Sequence, residues 1–257
     1  MPVVRASVRF AKLLWTAFQA CVHFAFLRLR NGRSLPADVR AEWLHIWCAK
    51  LLPRLGIAFS CEGAIPERGL IVANHLSYLD IIVLSALCSC TFVAKKEVRL
   101  WPIFGWMATM NGTVFVDRQR PRETGQVNDQ LDVALQTGLR IVLFPEGTST
   151  DGTQVLPFRS SLFASAVAAR EAITPAHISY RVTEGSVEQD VCYWGDMTFL
   201  PHILKALSLS EVTALVRFGQ ESLRFDDRKK AAEATREQIL ALAQSELVER
   251  QAASCRP

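Results

Sequence analysis

Short apolar runs alternate with amphipathic segments along most of this chain. Six apolar runs have the length and the β-branched content of buried strands: 69–73, 91–94, 112–116, 139–144, 173–180 and 212–218. Four segments with helical periodicity lie between or after them: 80–87, about 121–137, about 160–170 and about 227–250. Buried strands that alternate with helices predict an α/β fold, with a mixed central sheet flanked by helices.

The first 55 residues have a different pattern, because two apolar helical runs, 13–27 and 43–52, are joined by a polar connection at 31–36. We expect an N-terminal hairpin of membrane-associating helices in residues 1–55, followed by a second domain at 56–257. Two alternatives stay open. The hairpin could pack on the core of a soluble protein, or the first run, although shorter than the roughly 20 residues of a typical span, could cross the membrane once.

The distribution of charge favours contact with a membrane. Residues 1–54 carry nine basic and two acidic residues, a net charge of +7, so the rest of the chain carries −3 against the total of +4. Basic charge beside an apolar surface is typical of proteins that bind the anionic face of a membrane. We therefore expect a peripheral or monotopic protein at the cytoplasmic face of the inner membrane, without a nucleic acid partner.

Several kinds of site are excluded by the sequence. The chain has no GxGxxG, GxxxxGK[ST] or GxSxG pattern, which argues against nucleotide binding and against serine hydrolysis. Its seven cysteines lack the spacing of zinc ligands, so we expect reduced thiols and no metal.

Candidate chemistry is concentrated at His75 and Asp80, directly after the apolar run 69–73. A carboxylate that binds one ring nitrogen fixes the histidine tautomer and leaves the other nitrogen free to take a proton from a hydroxyl. Residues five apart lie about 140° apart on a helix, so the two side chains meet only if His75 lies before the helix or in a distorted first turn. Ser77 is the predicted N-cap of that helix. The alternative is a capped helix start that happens to contain a histidine.

Three further motifs follow in order along the chain. Phe-Val-Asp-Arg ends an apolar run at 115–118, Phe-Pro-Glu-Gly-Thr ends another at 144–148, and Ile-Thr-Pro-Ala-His-Ile lies at 173–178. With the histidine and the aspartate, these four blocks resemble the glycerolipid acyltransferase family, whose best-known members acylate lysophosphatidic acid. The resemblance runs from about residue 57 to about residue 219, most of the chain.

The resemblance implies an acyltransferase domain at 56–257 in which His75 is the general base and Asp80 its partner. The acceptor hydroxyl would attack an acyl thioester directly. Acyl carrier protein or coenzyme A would supply the acyl group as a co-substrate, and no cofactor is expected. The partners would then be a lysolipid acceptor, the acyl donor and a membrane surface.

The resemblance also implies a set of substrate-binding residues on the later motifs: Arg118, Glu146, Gly147, Thr148 and Arg159. Arg118 corresponds to a phosphate-binding arginine of the family, and Arg159 lies where relatives carry a basic residue. Glu146 corresponds to a glutamate that binds the acceptor or supports the loop. Gly147 is a suitable place for the backbone to approach the substrate, since a side chain would block that approach.

Other polar residues are interpreted as structural or solvated. Lys95 and Lys96 could face the donor, but we expect solvated lysines. His177 is expected to be a satisfied core histidine rather than a second base. Asp196 could face a cationic head group, although a loop acid is an equally good interpretation.

One position departs from the family pattern. Lysophosphatidate acyltransferases usually have an arginine directly after Glu-Gly-Thr, and this chain has Ser149. The loss of a forked cation weakens the case for a phosphomonoester acceptor, unless Arg118 and Arg159 compensate. The main hypothesis is a lysolipid O-acyltransferase with a lysophosphatidic acid-type acceptor. The alternative is a lyso-ornithine lipid acceptor, whose branch of the family the segments 144–152 and 193–197 resemble. A lipid thioesterase or hydrolase and a non-catalytic lipid carrier are the other classes considered.

Overall fold

The computed structural model describes residues 1–32, 34–101, 103–116 and 131–254. The helices of this part include Pro2–Asn31 (α1), Ala37–Arg54 (α2), Leu79–Leu87 (α3), Phe104–Asn111 (α4), Ala164–Ala168 (α5), Val187–Asp190 (α6), Phe199–Ser208 (α7) and Arg228–Ser254 (α8), and residues 131–136 are helical as well. The strands are Ile57–Glu62 (β1), Gly69–Ala73 (β2), Cys90–Lys95 (β3), Val114–Val116 (β4), Arg140–Leu143 (β5), Ile173–Val182 (β6) and Val212–Phe218 (β7).

The strands form one sheet in the order β1-β7-β6-β2-β5-β3-β4. The pair β6–β7 is antiparallel, whereas β2 is parallel to both β5 and β6. The predicted mixed sheet with flanking helices is therefore confirmed. Parallel strands of this kind need cover on both faces, which explains why all five residues of β2 are buried.

Side chains that alternate along β2 enter two separate cores. Ile71 and Ala73 pack in a large core beneath α2 and α3, and Leu70 and Val72 pack in a smaller core that contains Ile239 of α8. The sheet thus separates a face covered by the N-terminal helices from a face covered by the C-terminal helix.

Most predicted elements are present, with differences at their ends. The predicted strand 112–116 begins at Val114, because Gly112 takes a left-handed conformation that ends α4. The predicted helix 160–170 is a 3₁₀ turn followed by the short α5, and Arg170, at a φ of 52°, lies beyond its end. Most of the predicted helix 121–137 lies outside the described residues. The sequence does not predict β1, α4 or α6.

The two N-terminal helices form the predicted hairpin. Trp43 of α2 donates a hydrogen bond from Nε1 to the Ala20 carbonyl of α1 at 3.0 Å, and Arg54 donates to the Thr16 hydroxyl at 2.7 Å. The division into residues 1–55 and 56–257 stays a prediction, since α2 also packs closely on α3.

Helix α1 buries only part of its apolar surface. Leu13 and Ala20 are buried, whereas Trp15 and Phe18 are exposed and stack at a centroid distance of 5.6 Å. Further exposed apolar side chains continue this face along the helix: Val4, Val8, Val22, Phe26 and Leu29. By length and composition, α1 is the one helix among the described residues that could cross a membrane. Its exposed apolar face suggests membrane association.

Candidate active site

The candidate site lies where parallel strands of the sheet end. Val72 of β2 is in register with Leu143 of β5, so the loops that follow these strands leave the sheet side by side. They are joined by a hydrogen bond from the Thr150 amide to the His75 carbonyl at 2.9 Å. The carboxyl ends of parallel strands are the usual place for a ligand in α/β folds. The His75 motif and the Glu-Gly-Thr motif therefore share one edge.

His75 and Asp80 form the predicted pair. Their closest atoms, His75 Nδ1 and Asp80 Oδ2, are 2.8 Å apart. Helix α3 begins at Leu79, so His75 lies in the loop before the helix, as the five-residue spacing requires. An ionised carboxylate only accepts hydrogen bonds, so Nδ1 carries the proton and Nε2 of the neutral ring is the free base.

Asp80 also organises the start of helix α3. Its Oδ2 accepts the backbone N–H groups of Leu76 at 2.7 Å and Ser77 at 3.0 Å. The predicted N-cap role of Ser77 is wrong, because the Ser77 hydroxyl is buried and forms no hydrogen bond with the part of the chain that the structure describes. The carboxylate that orients the base therefore also binds two amides of the loop that leads from His75 into the helix.

Tyr180 donates the remaining hydrogen bond to Asp80. The sequence analysis did not predict this contact. Its hydroxyl donates to Asp80 Oδ1 at 2.7 Å, and both side chains are buried. Burial and then the charge of Asp80 raise the pKa of Tyr180 well above its ordinary value, so the hydroxyl stays protonated. The sequence signal is slight, since a tyrosine in an apolar strand ordinarily indicates core packing.

The His75 ring is held on a second side by Phe144, at the end of β5. The two rings stack with centroids 4.2 Å apart and an angle of 18° between their planes. The His75 side chain keeps a fifth of its surface exposed, whereas that of Asp80 has none. The base is therefore accessible and its orienting carboxylate is not.

Glu146 supports the same loop. Its Oε1 accepts the His75 amide and its Oε2 accepts the Leu156 amide, each at 2.7 Å. Burial raises the pKa of the Glu146 carboxyl, and these amides oppose the shift. Both oxygens are thus bonded to backbone, and among the described residues that line the cavity beside His75 Glu146 does not appear.

An apolar cavity of about 290 Å³ begins at His75 and extends beneath the N-terminal helices. Gly147, Thr148 and Ser149 line its mouth. Most of its wall is hydrophobic and comes from separate elements, including Leu13 of α1, Leu44, Cys48 and Leu51 of α2, and Ile82 of α3. A cavity of this shape and lining suits a hydrocarbon chain whose polar end lies at His75.

The cavity is also lined by Tyr193, Trp194 and Gly195, which belong to the segment 193–197 that resembles the lyso-ornithine branch. The Tyr193 amide donates to the Leu76 carbonyl at 2.8 Å, and the Ser149 hydroxyl donates to the Tyr193 carbonyl. His202 of α7 bonds the Cys192 carbonyl through Nε2 at 2.9 Å and the Tyr78 hydroxyl through Nδ1 at 3.0 Å. Burial lowers the pKa of His202, so its ring is neutral at pH 7.

The remaining candidates are distributed around this site. Arg118 lies outside the described residues. Arg159 is exposed, and its side chain is not among the described groups that line the cavity. Lys95 lines the cavity, contrary to the expectation of a solvated lysine, whereas Lys96 is exposed. Asp196 is also exposed.

Comparison with known proteins is consistent with this geometry. The profile of a protein family described as acyltransferase matches residues 57–179. The lyso-ornithine lipid O-acyltransferase of Brucella abortus is 36% identical over 246 residues, which cover 89% of each chain. The chain belongs to this acyltransferase family.

Two other matches are a curated relative and a solved structure. A 1-acyl-sn-glycerol-3-phosphate acyltransferase of Neisseria gonorrhoeae is 32% identical over 153 residues, 60% of each chain. The crystal structure of the 1-acyl-sn-glycerophosphate acyltransferase of Thermotoga maritima has a TM-score of 0.63 and 18% identity, and covers 95% of this chain and 98% of its own. That likeness supports the fold alone.

Proposed function

We propose that this acyltransferase moves a fatty acyl group from a thioester to the free hydroxyl of a lysolipid. The observation that carries the proposal is a histidine base, held by a fully buried carboxylate, at the mouth of an apolar cavity. The substrate hydroxyl supplies the nucleophile, so the protein needs to provide only a base, a site for the acyl chain and donors for the developing charge.

The reaction is a direct transfer. His75 Nε2 takes the proton of the acceptor hydroxyl as its oxygen attacks the thioester carbonyl. Asp80 stabilises the imidazolium that forms, as in other carboxylate–histidine pairs. The tetrahedral intermediate then expels the thiolate, the carbon–sulfur bond breaks, and the imidazolium returns the proton to sulfur. The products are an ester and a free thiol.

The oxyanion of the intermediate needs donors close to His75. The backbone amides of Thr148 and Ser149 donate to no residue in the described ranges, and both residues line the cavity. Gly147 precedes them at a φ of 79°, a left-handed conformation that turns the chain at this point. We assign the oxyanion site to these two amides.

We infer that the acceptor is a lyso-ornithine lipid. The Ser149 hydroxyl, at the position where phosphate-acceptor enzymes carry an arginine, is already bonded to the Tyr193 carbonyl. No guanidinium therefore stands at that position to bind a phosphomonoester. The relative from Brucella abortus, named for this acceptor, matches 246 residues, whereas the phosphate-acceptor relative from Neisseria gonorrhoeae matches 153.

Lysophosphatidic acid is the second candidate acceptor. It is favoured by the Phe-x-x-Arg motif that ends with Arg118 and by the basic Arg159, both on segments next to the motifs of the site. A forked guanidinium binds phosphate well. The acyl donor is proposed to be a thioester of acyl carrier protein or of coenzyme A.

We propose that α1 holds the enzyme at the cytoplasmic face of a membrane. The support is its exposed apolar face, with Trp15 and Phe18, together with the basic residues of the same segment. Aromatic side chains prefer the membrane interface, and basic residues prefer anionic lipid.

A panel of acceptors tests the proposal. Purified protein in lipid vesicles receives one acyl thioester and either lyso-ornithine lipid or lysophosphatidic acid, and the product is read by mass spectrometry. We expect an acylated ornithine lipid from the wild type and none from His75→Ala. Preferential acylation of lysophosphatidic acid would replace the first acceptor with the second. Release of free fatty acid at the same rate without acceptor would identify a thioesterase instead.

A further inference from the structure

We propose that Tyr180 is a positioning residue of the catalytic pair, which acts on His75 through Asp80. This inference rests on the proposed function, because it assigns His75 the role of the base. Tyr180 is not among the described residues that line the cavity, and its hydroxyl binds Asp80, so that hydroxyl reaches His75 through the Asp80 carboxylate.

The bonding of Asp80 shows why a fourth donor matters. Its Oδ2 accepts three hydrogen bonds, from His75 Nδ1 and from the amides of Leu76 and Ser77. Among the described residues, its Oδ1 accepts only the hydroxyl of Tyr180. A buried carboxylate oxygen without a donor is costly, and a carboxylate held at both oxygens cannot turn. Tyr180 therefore fixes the plane of the group that orients the base.

The register of β6 against β2 places Tyr180 beside Asp80. Along β6, Ala176, Ile178 and Tyr180 point to the same face of the sheet, because side chains alternate along a strand. The Asn74 side chain, next to His75, bonds both the amide of Ile178 at 2.7 Å and its carbonyl at 3.0 Å. These two hydrogen bonds fix the position of β6 relative to the loop that carries His75.

The hydroxyl also tunes the pair electrostatically. The positive end of its O–H dipole points at the carboxylate, so it disperses the charge that would otherwise stabilise the imidazolium of His75. The ionisable groups of the described residues that interact with the pair include Glu146 after β5, Tyr180 on β6 and Cys192 in the loop before α7. Only Tyr180 among them donates a side-chain hydrogen bond to Asp80.

Tyr180→Phe tests the role, because it removes one hydroxyl and keeps the ring. We expect kcat to fall by about 10- to 100-fold, with the KM of the acceptor and the donor changed by less than about twofold. With the dipole removed, His75 holds its proton more tightly. The acidic limb of the pH profile of kcat/KM should therefore move to higher pH.

Ser179→Ala is the matched control. Ser179 precedes Tyr180 on β6 and likewise donates its hydroxyl to a buried carboxylate, that of Glu246 at 2.7 Å, but on the opposite face of the sheet. The control should keep kcat and the pH profile of the wild type, and thermal unfolding should report the stability of both variants.

The outcomes separate this inference from the proposed function. Wild type that acylates no lysolipid contradicts the function. Wild type that acylates, with Tyr180→Phe equal to it in kcat and in pH profile, overturns the positioning role alone. A loss of kcat that matches a loss of folded protein, with the acidic limb unmoved, also overturns it, since a purely structural residue would behave in that way.

Discussion

Two buried carboxylates, Asp80 and Glu246, lie on opposite faces of the sheet. Each contacts one histidine and one hydroxyl, and we assign them different roles. Asp80 bonds His75 and the hydroxyl of Tyr180. Glu246 of α8 lies 3.3 Å from Nδ1 of His177 and accepts the hydroxyl of Ser179 at 2.7 and 2.9 Å. Since Ser179 and Tyr180 are neighbours on β6, one strand supplies a hydroxyl to each carboxylate.

The difference lies in what else each carboxylate touches. Glu246 also forms an ion pair with Arg250 one helical turn later, and Arg217 beside it pairs with Glu62 at 2.9 Å and with Glu249. Those charges join α8 to the sheet. Asp80 has no ion pair with a lysine or arginine in the described part of the chain, and its histidine lines a cavity. We therefore propose that the His75 pair, which lines the cavity, is catalytic and that the His177 pair, which is not among the described lining residues and lies beside ion pairs, is structural.

The largest expected effect comes from removing each histidine in turn. His75→Ala should lower kcat by about 10,000-fold, because both the base and the partner of Asp80 are lost. His177→Ala should change kcat by less than about twofold. Both are measured as acyl transfer to a lysolipid, with circular dichroism to confirm the fold. Comparable losses in the two variants would contradict the division of roles.

Glu246→Gln should affect stability rather than catalysis. Burial disfavours the charge of Glu246, but His177, Ser179 and Arg250 outweigh it and lower its pKa from 4.5 to about 2. Because the folded pKa lies below the unfolded one, the carboxylate stabilises the fold above pH 4.5, and this contribution is lost as the pH falls toward 2. At pH 7 the variant should lose about 3 kcal/mol of unfolding free energy.

Chemical denaturation of wild type and Glu246→Gln across pH 7 to 3 measures this effect. The gap between the two proteins should shrink at the acidic end, while kcat at pH 7 stays within about twofold. A gap that is constant with pH would mean that the charge of Glu246 contributes nothing to stability.

The loss of kcat in Glu146→Gln should lie between that of His75→Ala and that of Glu246→Gln. Glu146 binds the backbone of His75 rather than its ring. Replacing one carboxylate oxygen by an amide nitrogen turns a donor toward the N–H of His75 or Leu156. We expect kcat to fall by about 10- to 100-fold, with unfolding measured in parallel. Unchanged turnover would show that the His75 loop keeps its shape without this support.

The smallest effect is expected from Ser149→Ala, which frees the Tyr193 carbonyl at the cavity mouth. One neutral hydrogen bond at a half-buried position corresponds to about a threefold rise in the acceptor KM, with kcat retained. Steady-state kinetics with lyso-ornithine lipid measures it. A fall in kcat without a change in KM would place the Ser149 hydroxyl in the chemical step.

The parts of the site that depend on short spacing were predictable. The five-residue interval between His75 and Asp80 placed the histidine before the helix, and the apolar runs before each motif placed both motifs at strand ends. The role of Tyr180 was not predictable, because it lies 100 residues from Asp80 and depends on the register of β6. Ser77 is not the cap because helix α3 begins after Tyr78, and the Asp80 amide, which the Ser77 hydroxyl would bind, donates to the Ser77 carbonyl instead.

The orientation of side chains in the site could not be predicted from the sequence either. The motif identified Glu146 as important, but only the structure places both of its oxygens on backbone amides. Similarly, β1 was missed because Ser60 and Glu62 interrupt its short apolar run; only Ile57 of this edge strand is buried.

The position of Leu13 has a consequence for the path of the lipid. Leu13 lines the cavity, while Trp15, two residues later on the same helix, is exposed on the face proposed to enter the membrane. A helix is only about 10 Å across, so the hydrocarbon interior of the bilayer and the wall of the cavity would be separated by the width of one helix. Drawing a chain of about sixteen carbons through water would cost about 13 kcal/mol at 0.8 kcal/mol per methylene. With α1 at the membrane, the acyl tail would need to cross only the width of this helix between lipid and protein, and most of that cost would be avoided.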